Sequence, residues 1–378
     1  MSDYANRALL PNGLSDMLPP DAAFEADVIT RLMNCFDRQG YERVKPPLIE
    51  FEESLLSGNA SDMAAQTFRV MDPMSQKMMG VRADMTMQVA RIATSRLANV
   101  PRPLRLCYSG QVLRVKGTQL RPERQFAQAG IELIGSLSVT ADAEVVLNAV
   151  DALRELGVAD VSVDMTLPTL VPTLCADLGV ELEPGGALAE ALDHKDAGSI
   201  ARLGGEAAEL LMKLLKAVGT GERGLAILRD IPLPAAAAAE RDRLAAVMDL
   251  IRRDTPDLAV TVDPLEHRGY EYYSGVSFSL FSRRVGGEIG RGGRYLANGV
   301  EPATGASLFM DTILAALPHP EKKSRLYLPA GVERDEARSL RAQGWCTIAG
   351  LDKVSDERSE ALRLGCTHIW LSRTAVPV

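Results

Sequence analysis

The sequence has 378 residues, 46% of them hydrophobic and 24% charged, a balance that excludes wholesale disorder and leaves room for two or three domains. Its formal net charge of −8 supplies no global basic field for nucleic acid. Five scattered cysteines (Cys35, Cys107, Cys175, Cys346, Cys366) and four histidines form no disulfide framework, CxxC pair or HExxH spacing, so neither a metal nor a cofactor is expected.

The first residues lack a basic flank followed by an apolar run, and no apolar stretch approaches the ~20 residues that span a bilayer. A cytoplasmic protein without a membrane partner is expected. Phe24, Val28, Leu32 and Phe36 recur every four residues, which predicts a helix over 21–39, capped by Asp21 and stopped by Gly40. Tyr41–Val44 reads as a short strand ended by Pro46-Pro47. A turn is expected at Met71-Asp72-Pro73, then a helix from about Thr86 to Ala98.

Leu104–Tyr108 and Gln111–Val115 read as two short strands separated by Ser109-Gly110. Gln125–Leu133 reads as a buried strand, antiparallel to them across a polar loop. Thr140–Leu156 is a helix with Asp142 and Glu144 favourable in its first turn and Gly157 as its stop. Val161–Met165 is a strand. From 167 to about 258 the chain turns rich in Ala, Leu and Glu and reads as successive helices, one of them starting at the alanine run after Pro234. Ala259–Val262 and Tyr272–Phe281 read as strands and Ser307–Leu317 as a helix. After a linker at Glu321–Lys323, a strand–helix–strand–helix–strand order predicts a small parallel α/β unit.

Five clusters could carry chemistry. Asp84 and Thr86 enter a helix, where they serve either as caps or as ligands. Arg114, Arg121 and Arg124 flank a hairpin loop, as a solvated tip or as an anion site. Phe126, Gln128 and Glu132 share one strand face; an inward Gln and Glu need either a bound ammonium or imidazole or an internal partner. Arg268, Tyr272 and Tyr273 lie in a glycine-flanked segment, where the tyrosines either pack or line a pocket. The glycines at 286–293 do not follow a strand-to-helix nucleotide-binding pattern.

Taken in order, these clusters resemble the catalytic domain of histidyl-tRNA synthetase, a class II synthetase. Gly13 to Pro19 resembles that family's G-x-x-D-x-x-P stretch, and Arg82–Thr86 its R-P-E-G-T segment. Arg114 and Arg124–Glu132 resemble the two strands of motif 2. Arg268-Gly269-Tyr270-Glu271-Tyr272-Tyr273-Ser274-Gly275 resembles the histidine signature R-G-L-D-Y-Y-T-G, and Gly292–Tyr295 resembles G-G-R-Y. The resemblance implies an α+β fold: a class II synthetase-like antiparallel sheet flanked by helices (1–166 and 256–320), a helical insertion (167–255) and a small C-terminal α/β unit (323–378). It also implies a histidine pocket of Asp84, Thr86, Arg114, Gln128, Glu132, Arg268, Tyr272 and Tyr273. In it Asp84 meets the ammonium, Arg268 lies near the carboxylate, and Glu132 and Tyr273 face the imidazole.

The departures from the synthetase lie on the ATP side. Lys116 stands where motif 2 has Glu, and Phe309 and Thr312 stand where motif 3 has Gly and Arg. The tail after Lys322 is shorter than a synthetase's anticodon-binding domain. This combination is similar to the ATP phosphoribosyltransferase regulatory subunits, a paralogous family of histidine biosynthesis. That likeness implies a non-catalytic chain that partners a short-form catalytic subunit, with histidine as effector, as a homodimer within a hetero-oligomer and without tRNA. The alternative is an active or residual histidyl-tRNA synthetase-type enzyme.

Overall fold

A computed structural model describes residues 9–56, 61–117, 121–266, 272–319 and 324–378; Arg268 and the linker at Glu321–Lys323 lie outside the described residues. The chain divides into two units, Met1–Pro318 and His319–Val378. In the first, the helix Asp21–Arg38 buries Val28, Leu32, Met33, Cys35 and Phe36, the face that the four-residue spacing marks. Asp21 is not its cap: it is the first helical residue, and Pro20 precedes it with no side-chain cap bond. Gly40 takes the left-handed φ of +84° expected after a helix end.

The first strands are β1 (Glu42–Arg43), β2 (Ile49–Phe51), β3 (Phe68–Met71) and β4 (Met78–Val81). Strands β2, β4 and β3 form a small antiparallel sheet around the turn at Asp72. The helix Thr86–Ser95 follows, ending before the expected Ala98. Strand β5 (Leu104–Leu113) is continuous, not two strands broken at Ser109-Gly110. Gly110 holds the strand path because a Cβ there would lie 2.3 Å from Arg82 Nη2. That buried guanidinium donates to the Gln111 and Pro46 carbonyls.

Strands β6 (Gln125–Ile134), β7 (Val161–Thr166), β8 (Gly219–Thr220), β9 (Ala259–Asp263), β10 (Ser277–Ser282), β11 (Gly290–Ala297) and β12 (Glu301–Phe309) complete the unit. The main sheet has the order β1-β5-β6-β12-β11-β10-β7-β9-β8. From β5 to β7 every neighbour is antiparallel. Two expectations change here. The strand expected over Tyr272–Phe281 begins only at Ser277, and Ser307–Phe309 belong to β12, so the helix there is only Met310–Ala316; the glycine-rich run at 290–293, to which the sequence assigns no element, is strand. Glycine is a poor strand former, but the glycines on this face make room for large side chains across the ladder.

Both faces of β6 are buried. Ala127, Ala129, Ile131 and Leu133 join a core with the helices Asp21–Arg38 and Val139–Leu156, while Phe126 and Ile134 face the helix Thr86–Ser95. The helices between Leu170 and Asp254 share the first of these cores: Leu174, Leu192, Leu214, Leu228, Leu244 and Ile251 are continuous with the sheet side chains. Asp142 does more than favour a helix start. It is 2% exposed and pairs with Arg294 of β11 at 2.6 Å and Arg243 of the helix Ala235–Asp254 at 2.7 Å. Thr304 of β12 donates to it at 2.5 Å. One carboxylate thus ties two helices to two strands.

In the second unit, β13 (Arg325–Leu328), β14 (Cys346–Ala349) and β15 (His368–Leu371) form the expected parallel set, with the helices Arg334–Ala342 and Glu357–Arg363 between them. A further strand, β16 (Thr374–Pro377), turns back antiparallel to β15. Ser372 and Arg373 make that turn with φ of +47° and +62°.

Replacing Asp142 by Ala strands the buried Arg294 guanidinium and is expected to cost about 3–5 kcal/mol in urea unfolding. Glu155→Ala removes an ion pair to Arg38 whose side chains are half exposed, and its cost should stay below about 1 kcal/mol. Equal costs for the two variants would contradict the role of Asp142 as a buried tie.

Candidate functional site: a polar pocket on the face of the main sheet

The site starts from one buried carboxyl. Glu132 of β6 is fully buried on the face that looks toward the helix Thr86–Ser95. Tyr108 of β5 donates to its Oε1 at 3.1 Å and Tyr295 of β11 to its Oε2 at 2.8 Å. Two glycines make this possible. A Cβ on Gly305, the residue opposite Glu132 on β12, would lie 1.8 Å from Oε2, and one on Gly130 would lie 2.4 Å from the Tyr108 hydroxyl. Burial pushes the Glu132 carboxyl up from 4.5 to about 8 against the lowering effect of both tyrosine hydroxyls; nearby Asp84 pushes the same way, and Thr86 opposes it. The raised value means that folding favours the protonated acid. Its contribution to stability is complete below pH 4.5 and is lost as pH rises through about 8.

Gln128, two places from Gly130 on the same face, is fully engaged. Its carbonyl oxygen accepts from the Met85 amide at 3.0 Å, and its Nε2 donates to Asp84 Oδ2 at 2.6 Å and to Ser307 Oγ at 2.8 Å. Both amide hydrogens are therefore used inside the protein, and Gln128 positions Asp84. The other Asp84 oxygen accepts from the Thr86 amide at 2.8 Å, at the start of the helix. Ser307 and Thr86 also exchange hydrogen bonds with the Tyr108 hydroxyl. Of the two readings open for Gln128 and Glu132, an internal partner is thus present for each.

Above this floor lies a cavity of about 220 Å³ whose lining includes Asp84, Thr86, Arg114, Arg121, Tyr272, Tyr273, Arg291, Ser307 and Phe309. A recess of about 20 Å³ continues beneath it to Glu132, between Tyr272, Tyr273 and Gly305. The Tyr272 ring lies 5.4 Å from Tyr273 and 4.8 Å from Tyr295. The cavity is smaller than the roughly 300–1,000 Å³ typical of drug-sized ligands.

Its charges are asymmetric. Arg121 pairs with Asp311 at 3.1 Å and Arg291 with Glu288. Arg114 has no carboxylate within ion-pair distance among the described residues; its guanidinium stands over Phe126 at 5.0 Å, and burial lowers its pKa, opposed by the Asp84 and Asp311 carboxylates and reinforced by Arg121 and Arg291. The Asp84 carboxylate and the Arg114 guanidinium therefore front one small cavity, an arrangement that suits an amino-acid zwitterion.

The structure brings Asp84, Thr86, Arg114, Tyr272 and Tyr273 to one cavity, Glu132 to its floor and Gln128 behind Asp84. Arg268 lies outside the described residues. Sequence reasoning missed Tyr108, Ser307 and Arg291 as members of the site. Tyr108 faces Gly130, and Ser307 pairs with both Gly130 and Arg291, so only the cross-strand register reveals them. Lys116 is exposed, just beyond β5, whereas Phe309 is buried.

Comparison with known proteins bears on the family and the fold. A family model described as histidyl-tRNA synthetase matches residues 13–313. An ATP phosphoribosyltransferase regulatory subunit of Paramagnetospirillum magneticum is 61% identical over 97% of each chain. One from Rhodospirillum centenum is 54% identical over 96% of this chain and 94% of its own. A solved structure from Bacillus halodurans, described as an ATP phosphoribosyltransferase regulatory subunit/histidyl-tRNA synthetase, superposes with a TM-score of 0.81 at 23% identity, over 94% of this chain and 96% of its own; at that identity it supports the class II synthetase-like α+β fold alone. The chain belongs to the ATP phosphoribosyltransferase regulatory subunits, a family built on the histidyl-tRNA synthetase fold.

Proposed function

We propose that this chain is the non-catalytic partner of a short-form ATP phosphoribosyltransferase catalytic subunit in the cytoplasm. It activates that subunit and carries histidine feedback inhibition to it, as a homodimer within a hetero-oligomer. In this reading 167–255 is an insertion into a synthetase-like body formed by 1–166 and 256–320, and 323–378 is a small C-terminal unit. The observation that carries the proposal is a pocket fit for a zwitterion with a polar ring, beside a nucleotide side that the chain fills itself.

Asp84, held by Gln128, takes the α-ammonium, and Thr86 adds a hydrogen bond. Arg114 takes the carboxylate, with Arg268 as a second cation. Glu132 and Tyr273 meet the imidazole through the recess, and Tyr272 lines it. A site that hydrogen-bonds a ring nitrogen rejects analogues lacking it, because its own buried polar groups are then left unpaired. Feedback requires histidine to bind one state of the assembly more tightly than the other.

The second reading, an active histidyl-tRNA synthetase, has the family-model match in its favour. Lys116, Phe309 and Thr312 stand against it. Thr312 offers a hydroxyl where a guanidinium would be needed, and Phe309 is buried against Phe126 with ring centroids 6.2 Å apart. Mixing the chain with a short-form catalytic subunit should raise phosphoribosyl transfer, and histidine should lower it. The chain alone should give no histidine-dependent ATP–pyrophosphate exchange; robust exchange would establish the synthetase reading instead.

Histidine affinity should be bell-shaped in pH. Free imidazole titrates near about 6.5 and Glu132 at about 8. Between these values the free partners already hold the single proton they share when bound. Below that window histidine must shed a proton to bind; above it the ionised Glu132 can no longer donate to a ring nitrogen. Calorimetry should place the maximum inside the window, and Glu132→Ala should weaken binding about tenfold to a hundredfold, the loss of one strong buried hydrogen bond. A flat pH profile together with an unchanged Glu132→Ala affinity would remove Glu132 from the site.

A further inference from the structure

Arg121 leaves the hairpin between β5 and β6 and folds back over the sheet face. Its guanidinium carbon lies 3.9 Å from the Phe309 ring centroid and 5.3 Å from that of Phe126. The two rings are tilted 80° to each other. Its Nε pairs with Asp311 at 3.1 Å, and its Nη2 donates to the Glu288 carbonyl at 3.1 Å and to Thr312 Oγ1 at 3.3 Å. The side chain is 14% exposed. A planar cation thus lies over one aromatic ring and near a second, with three acceptors beside it.

Those are also the features that hold a planar heteroaromatic base with exocyclic amines: ring faces to stack on, and acceptors for N–H groups in the ring plane. We propose that Arg121 is a specificity-determining residue, an internal plug that occupies an aromatic slot and denies it to purine-type ligands. The adjoining cavity is thereby left to a compact ligand; the identification of that ligand as histidine rests on the reading above. A base could enter only by displacing the guanidinium, which would leave the Asp311 carboxylate without its partner and cost both cation–π contacts at once.

A residue that only stabilises the hairpin would lower the melting temperature when removed and open nothing. The test therefore reads ligand gain. Adenosine, and ATP with magnesium, are titrated calorimetrically into the full-length chain and three variants. The wild type is expected to bind neither. Arg121→Ala should bind adenosine at least tenfold more tightly than the wild type. Arg121→Ala with Asp311→Asn should do the same without an unpaired carboxylate, which guards against misfolding of the single variant. Arg121→Met, which refills the slot with an uncharged chain of similar length, should stay closed. The proposal is overturned if the wild type binds adenosine as well as Arg121→Ala does, or if the folded double variant, checked by its melting transition, gains no adenosine affinity. Histidine titrated into the wild type is a separate arm: its failure to bind would sink the histidine reading, while the adenosine arm still decides the role of Arg121.

Discussion

The pocket is organised by one constraint: a carboxyl with no solvent exposure in the face of a β-sheet. Leaving such a group unpaired costs several kcal/mol, so its neighbours must supply donors and space together. Tyr108 and Tyr295 supply the donors from strands on either side, and Gly305 and Gly130 supply the space. Tyr108 in turn needs Ser307 and Thr86, and Ser307 holds the Gln128 amide that fixes Asp84. The chain of dependence runs across β5, β6, β12 and β11, so a change at any strand of the ladder reaches the same cavity.

The sheet is held in register from behind. Asp142 draws Arg294, Thr304 and Arg243 to one buried point, which locks β11 and β12 to the helix Val139–Leu156 and to the helix Ala235–Asp254. The helices from Leu170 onward then bury their apolar faces in the same core as the sheet. The residues presented at the front therefore sit on a support that is apolar in bulk and pinned by the Asp142 tie, with Glu144 of the same helix holding Arg105 of β5.

The long helices were legible in the sequence because their periodicity is local: Val28, Leu32 and Phe36 mark a face with no knowledge of what lies opposite. The strands β11 and β12 were not, because their glycines argue against strand when taken alone. What requires glycine at 305 within the strand is the Glu132 carboxyl across from it, and that pairing is absent from a linear reading. The same reason hid the true place of Asp142, whose partners lie 101 to 162 positions away. In the pocket, Asp84, Thr86, Glu132 and the tyrosine pair stood out as motifs, whereas Tyr108 and Ser307 have no local signature and emerge only from register. For Gln128 the sequence leaves a ligand and an internal partner open; its Nε2 donates to Asp84 and Ser307.

Arg114 and Arg121 come from one hairpin and meet the same Phe126 ring, yet their situations differ. Arg121 has Asp311 beside it and a second ring beneath it; Arg114 has no carboxylate within ion-pair distance among the described residues and fronts the cavity. The contrast is what the plug proposed for Arg121 requires. An aromatic slot left empty would cost about 24 cal/mol for each Å³ of cavity, and a lone Asp311 would be a partly buried charge without compensation. In the plug proposed for Arg121 the chain fills the slot with its own planar group, and a guanidinium does so while neutralising the acid. The open arginine and the closed one are then the two outcomes of a single rule: a partly buried charge is kept where its partner is either built into the chain or arrives as the ligand.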